Sequence, residues 1–123
     1  MNIEKKEGFI GYLDERTSTV QADIVRLNED HRRDEADFEK IRGNIFQVIK
    51  TMVQASERIS DNEDEQIQFV DSKLTMFTET WKESMAKATE HNDERRILQE
   101  QVKLEAMDEI RSTFERIWRQ THG

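Results

Sequence analysis

Two histidines and two carboxylates are the residues of this sequence whose types and spacing could do chemistry. Asp34 follows His31 by three positions, and Glu94 follows His91 in the same way, so each pair would lie one turn apart on a helix. Imidazole nitrogen and carboxylate oxygen together suit zinc, iron or manganese. One hypothesis is therefore a metal-dependent helical-bundle enzyme, or a metal-binding protein, that uses these four residues.

The arginines beside these pairs favour a different role for them. Arg32 and Arg33 follow one histidine directly, and Arg95 and Arg96 follow Glu94. A guanidinium group is a permanent cation that competes for carboxylates and repels a metal ion. We therefore favour a belt of surface ion pairs at these positions, and we expect no metal and no cofactor.

Acid pairs at a spacing of three occur elsewhere in the chain, at Glu90 and Asp93 and again at Glu105 and Asp108. They resemble the Glu-x-x-Glu and Glu-x-x-Asp pairs with which the all-α nucleotide pyrophosphohydrolases hold magnesium between antiparallel helices. The two pairs are too close in sequence to face each other from two helices, because the apolar spacing predicts a helix over 94–104. The sequence also has no cysteine, no Gly-x-Ser-x-Gly turn and no glycine-rich phosphate loop. We expect a protein that is not an enzyme, with no catalytic residue.

The composition also limits the kinds of partner that the protein is expected to bind. The 123 residues are 37% charged and 34% hydrophobic, with a net charge of −8 and no proline. No segment is strongly basic, so we expect no nucleic-acid partner. No run approaches the roughly 18 apolar residues of a membrane helix, and the N-terminus has no apolar leader. We therefore expect a cytoplasmic protein with no membrane partner.

In the first half of the chain, apolar residues recur at every third and fourth position, which is typical of one helical face. His31 and Asp34 interrupt this series without changing its phase. Either one long helix has a polar waist at residues 28–34, or two helices meet there at an elbow, and we favour the elbow. Asn28 suits a helix end, and Asp30 or Asp34 suits a helix start. The apolar members of the series are Ile3, Ile10, Leu13, Val20, Ile24, Leu27, Phe38, Ile41, Ile45, Val48, Met52, Ala55 and Ile59.

The later breaks carry clearer signals. Ser60, Asp61 and Asn62 each precede an acid by three residues, a capping-box pattern that predicts a helix start. Asn92 or Asp93 suits a cap in the polar stretch 90–96. We predict helices over 2–28, 34–59, 62–90 (with a kink near 79 left open, where Thr80 precedes Glu83) and 93–119.

These helices predict an all-α fold, an up-down-up-down four-helix bundle in a single domain over 1–123. The alternative is a long helical hairpin that dimerises into an antiparallel coiled coil. Gly43 lies beside the apolar series in mid-helix, where a glycine indicates close approach by a neighbouring helix.

The last helix carries an apolar arc wider than a single seam, which predicts burial on more than one side. A thin bundle covers one side, so we expect a homodimer that uses this helix, or another protein bound to its apolar face. The function predicted is protein–protein interaction or self-association. The interface residues predicted are Leu98, Val102, Ile110, Phe114, Ile117 and Trp118.

Two stretches carry a resemblance to known proteins. The segment RRDEADFEKIRGNIFQVIKT at 32–51, together with WKESMAKATEHND at 81–93, resembles small all-helical bacterial proteins of uncharacterised function. The resemblance implies a helical fold and brings no activity, cofactor or site with it.

Overall fold

The computed structural model describes residues 3–119, and four α-helices make up nearly all of them. The prediction of an all-α fold is confirmed, and the described residues contain no strand. Each helix begins and ends within one residue of the position that the sequence patterns indicated. The helices are α1 (Ile3–Glu29), α2 (Arg33–Ile59), α3 (Glu63–Glu90) and α4 (Glu94–Arg119).

The helices form an up-down-up-down bundle. Consecutive helices pack against each other, and α2 and α4 also contact one another and each of the remaining helices, whereas α1 and α3 do not meet within the described residues. The central pair is therefore α2 and α4. The chain folds back on itself at 30–32 and again at 91–93, so the elbow is confirmed and the alternative of one long hairpin is wrong. No helix among residues 3–119 combines the length and the apolar character needed to cross a bilayer.

The core is richest in aromatic side chains at the end of the bundle where α1 begins and α4 ends. The ring of Phe9 lies 5.8 Å from that of Phe114 and 5.3 Å from that of Trp118, both in edge-on contact. Such pairs bury large apolar surfaces in favourable ring geometry. Further buried side chains from all four helices continue the core, among them Leu13, Val20, Phe46, Ile49, Val53, Val70, Leu74 and Ile110.

Local signals explain where α3 begins. The Asn62 side chain accepts a hydrogen bond of 3.0 Å from the Glu65 backbone N–H, as the capping pattern predicted. The Ser60 hydroxyl donates to the Glu65 carboxylate and accepts from the Asn62 backbone N–H at 3.0 Å. The acids of the first turn, Glu63 to Glu65, also lie at the positive end of the helix dipole.

Helices α1 and α2 approach each other closely at Gly43. A Cβ atom built on Gly43 would lie 3.0 Å from Cγ1 of Val20, which is buried on α1. The prediction that a neighbouring helix passes close to this glycine is therefore confirmed.

Candidate functional site

The first elbow is a compact turn in which His31 has a structural task. The Arg32 N–H donates to the Leu27 carbonyl at 2.8 Å, and the His31 N–H donates to the Asn28 carbonyl at 3.1 Å. This pair of bonds is a Schellman motif, which requires a left-handed residue at the position His31 occupies, and its φ is 60°. His31 is exposed and serves the reversal of the chain.

The prediction that Asp30 or Asp34 begins α2 is wrong. The N-cap is Arg32, whose side chain makes no capping hydrogen bond. The Schellman motif ends on this residue, so the new helix starts immediately after it. Asp34 lies within the first turn of α2, where a carboxylate interacts favourably with the helix dipole.

The second elbow is also a Schellman motif, but its histidine lies one position earlier in the turn than His31 does in the first. The Asp93 N–H donates to the Ala88 carbonyl at 2.9 Å, and the Asn92 N–H donates to the Thr89 carbonyl at 3.2 Å. The left-handed residue here is Asn92, with a φ of 56°, and His91 is the C-cap before it. Asp93 then caps α4, because its carboxylate accepts a 3.1 Å hydrogen bond from the Arg96 backbone N–H. The two histidines therefore occupy different positions in two similar turns.

The four candidate metal ligands do not assemble into a site. His31, Asp34, His91 and Glu94 are all exposed, and among the described residues no three histidine or acidic side chains lie close enough to hold a metal ion. Arg95 lies 3.9 Å from the Asp34 carboxylate. The structure thus contains ion pairs of the kind predicted for this belt; in addition, Arg95 lies 3.8 Å from Asp37, and Arg32 pairs with Glu35.

The acid pairs that resemble a magnesium site are also separated. Residues 94–119 form one continuous helix, so Asp93 and Glu105 are about 18 Å apart along its axis. The two pairs cannot bind one ion.

The predicted interface on α4 is largely internal. Ile110, Phe114 and Trp118 are buried within the single chain, and they pack in the aromatic end of the core. Val102 and Ile117 are half-buried, and Leu98 is 48% exposed. The width of the apolar arc on α4 reflects its position at the centre of the bundle, where three other helices contact it.

A polar cluster links α1 to α4 at the level of Tyr12. The Tyr12 hydroxyl donates to the Glu109 carboxylate, and Arg16 Nε donates to the same oxygen at 2.9 Å. Burial, and then this hydrogen bond to a carboxylate, raise the pKa of Tyr12 above its ordinary value. A neutral phenol bonded to a paired carboxylate holds two helices together.

Glu100 is a buried carboxylate where α4 packs against the bundle. It is 2% exposed; one oxygen accepts a 3.0 Å hydrogen bond from Lys103 Nζ, and the other has no hydrogen-bond partner among the described residues. The Lys103 ammonium also lies 5.9 Å from the ring centre of Trp81, which stacks on Phe77. The unpartnered Glu100 oxygen lowers the stability of the fold, because a buried polar atom without a hydrogen bond costs free energy.

A groove of about 450 Å³ runs between α3 and α4. Arg111 in its lining donates to Asp71 and, at 2.8 Å, to the Thr75 hydroxyl. The groove contains no histidine or cysteine that could serve as base or nucleophile. Its lining residues are Thr75, Thr78, Glu79, Lys82, Leu104, Met107, Asp108 and Arg111.

The surface that stands out is a second apolar stripe on α2, which we call the α2 outer stripe. The sequence series assigned these residues to the buried face of the helix. The core takes one member of that series, Ile45, together with residues of a second row. The buried residues of α2 are Ala36, Gly43, Ile45, Phe46, Ile49, Val53 and Ser56. The stripe consists of Ile41, Ile45, Val48, Met52, Ala55 and Ile59.

Two members of the α2 outer stripe are exposed, Val48 near its middle and Ile59 at its C-terminal end. Ile45 is buried, whereas Ile41, Met52 and Ala55 are half-buried. Val48 is 37% exposed and Ile59 is 61% exposed. The sequence did indicate a second apolar row on α2. Phe46, Ile49 and Val53 form this row beside the first one, and a helix with a single buried face would need only one of them.

Comparison of the chain with models of protein families, with curated proteins and with solved structures found no match.

Proposed function

We propose that this protein is not an enzyme and that it works through protein–protein contact, with a second copy of itself as the first partner. The α2 outer stripe is the observation that carries the proposal. Val48 and Ile59 are its exposed members, and Ile41, Met52 and Ala55 are half-buried beside them. Association covers such a surface, as it does in homodimers generally.

Charge supports the choice of this surface. The chain has 27 acidic residues, yet α2 has none between Lys40 and Ser56. The exposed side chains that flank the stripe in this segment include Asn44 and Thr51, which are uncharged. Depletion of charge at the centre is typical of protein interfaces. Two copies that each carry a charge of −8 repel each other least where acids are missing.

Light scattering coupled to size-exclusion chromatography tests the proposal. At micromolar concentration we expect a mass twice the 14.7 kDa of the chain. Val48→Lys should give a monomer, because it places a charge in the middle of the stripe. Val25→Lys is the matched control, since Val25 is a 58% exposed valine on α1, outside the stripe. A monomeric unmodified chain would contradict self-association.

A further inference from the structure

A cavity at the second elbow brings several basic side chains together. It has a volume of about 430 Å³ and lies where α3 ends and α4 begins. Lys87, His91 and Arg96 line it from the two helices and the turn between them, and the buried Ala88 forms part of its wall. Sites for small molecules have volumes of about 300–1,000 Å³, so this cavity is large enough for one.

The two cations of this cavity have no acidic partner. Lys87 and Arg96 make no ion pair within residues 3–119. Arg96 donates from Nε and Nη2 to the Ser84 hydroxyl, at 3.3 and 3.2 Å, which leaves its remaining N–H groups available to a ligand. Asp93 is the carboxylate of the lining, and it accepts the Arg96 backbone N–H at 3.1 Å. The lining therefore has one more formal positive charge than negative.

The cavity at the first elbow shows that this arrangement is not a general result of the turn. Its arginines are paired within the chain, Arg26 with Asp23 and Arg32 with Glu35. The chain has 27 acidic and 19 basic residues, so potential partners for a cation are in excess. The unpaired cations at the second elbow are thus not explained by a shortage of acids.

We infer that the cavity at the second elbow binds a small molecule that carries a phosphate group, held by Lys87 and Arg96. A phosphate ester has a charge of about −1.5 to −2 at pH 7, which suits two cations better than the single charge of a carboxylate does. Guanidinium groups bond phosphate oxygens in a planar, bidentate way, and a lysine ammonium adds a point charge. The His91 imidazole can donate a further hydrogen bond.

The acidity of the whole chain does not prevent anion binding at this place. Salt at about 0.15 M screens exposed charges that lie more than about 8 Å apart, so most of the net charge of −8 acts only weakly here. Glu90 and Glu94 flank the elbow in the sequence but do not line the cavity. The site belongs to α3 and α4 and does not depend on self-association.

Titration of the ¹⁵N-labelled protein with glycerol phosphate, followed by NMR, tests the inference. At constant pH and ionic strength we expect saturable shifts of amide signals within residues 84–96. Glycerate, a carboxylate of similar size, should bind more weakly, and glycerol should shift no signal. Shifts that do not saturate, or that spread over the whole surface, would overturn the inference. Equal binding of glycerate would overturn the choice of phosphate.

Substitutions assign the binding to the cavity. Lys87→Gln and Arg96→Gln should each weaken the binding of glycerol phosphate about tenfold, which corresponds to the loss of one charge-assisted hydrogen bond. Arg33→Gln is the matched control, because Arg33 is exposed at the first elbow and its loss changes the net charge equally. Lys87 is exposed and makes no ion pair in the described part of the chain, so Lys87→Gln should leave the helix content unchanged in circular dichroism. A Lys87→Gln variant that binds as tightly as Arg33→Gln would overturn the inference.

Discussion

Substitution of Gly43 by alanine sets two effects of known sign against each other. Alanine stabilises a helix interior by roughly 1 kcal/mol relative to glycine. The new Cβ atom would, however, lie 3.0 Å from Cγ1 of Val20. Val20 is buried and β-branched, so neither its position nor its rotamer adjusts easily. Overpacking of this kind costs about 1–3 kcal/mol, and we expect a net loss of about 1 kcal/mol.

Gly11→Ala is the matched control for this substitution. Gly11 lies in the interior of α1, is exposed, and has open space where a Cβ atom would be. Only the helix-propensity effect applies there, so this variant should be more stable by roughly 1 kcal/mol. Thermal unfolding followed by circular dichroism should show melting temperatures shifted in opposite directions, by roughly 4 °C each for a chain of this size. All variants are compared at one protein concentration, because association raises apparent stability.

A double-mutant cycle assigns the loss to one contact. In a Val20→Ala background the opposing methyl group is missing, and Gly43→Ala should then stabilise the protein as Gly11→Ala does. The coupling free energy between the two sites should be about 2 kcal/mol. A Gly43→Ala variant that is stabilised as much as Gly11→Ala in the unmodified chain would refute the reasoning.

Three further predictions concern the elbows, the buried carboxylate and the tyrosine. His31→Gly should raise the melting temperature by several degrees, because glycine adopts a positive φ without the cost of a Cβ. Asn92→Gly should raise it by less, because asparagine already tolerates a positive φ. Unchanged melting temperatures of both variants would contradict this explanation of the turns. Glu100→Met should stabilise the protein by roughly 1 kcal/mol in chemical denaturation, because it removes a buried oxygen that has no hydrogen-bond partner and leaves Lys103 partly open to water. A destabilised variant would show that the ion pair with Lys103 outweighs the cost of the unpartnered oxygen. The raised pKa of Tyr12 means that the unfolded chain loses this proton at a lower pH than the folded one, so the free energy of unfolding should fall as the pH rises above the ordinary tyrosine value of roughly 10. Because Tyr12 is the only tyrosine, ultraviolet absorbance follows its titration directly, and ionisation at its ordinary pKa in the folded protein would contradict the half-buried hydrogen bond to Glu109.

The helix boundaries could be predicted because local chemistry determines them. Asn62 and Asp93 cap α3 and α4 with their own side chains, as their types and positions suggested. The left-handed residues at the elbows could not be predicted in the same way. Glycine usually marks such a position, and here His31 and Asn92 occupy it. Arg32 begins α2 because the preceding turn ends there, which propensity alone does not indicate.

The candidate site was harder to predict than the fold. Periodicity identifies an apolar face but not the helix that will cover it. On α4 the wide arc of Ile110, Phe114 and Trp118 indicated a surface for a partner, and the structure places it against the other three helices. On α2 the seam that indicated the core is only partly buried, with Ile45 in the core, because Phe46 and Ile49 provide a second buried row. Both differences from the sequence-based prediction have one cause, the central position of α2 and α4 in the bundle. That position depends on contacts between helices far apart in sequence.

The two central helices also provide an internal comparison. Both contact all three other helices, so both bury most of their surface and leave one strip facing outward. On α4 the strip begins with the apolar Leu98 and is polar from Gln101 onward. Its exposed residues at spacings of three and four are Leu98, Gln101, Glu105, Asp108, Ser112 and Arg116. On α2 the corresponding exposed positions are also polar, and the α2 outer stripe lies beside them at the border of the core. These positions are Lys40, Asn44, Gln47, Thr51, Gln54 and Arg58. A polar outer strip is sufficient for a central helix that faces water, as α4 demonstrates. Both central helices therefore face outward mainly with polar residues, and the exposed large apolar side chains of α2 are Val48 and Ile59.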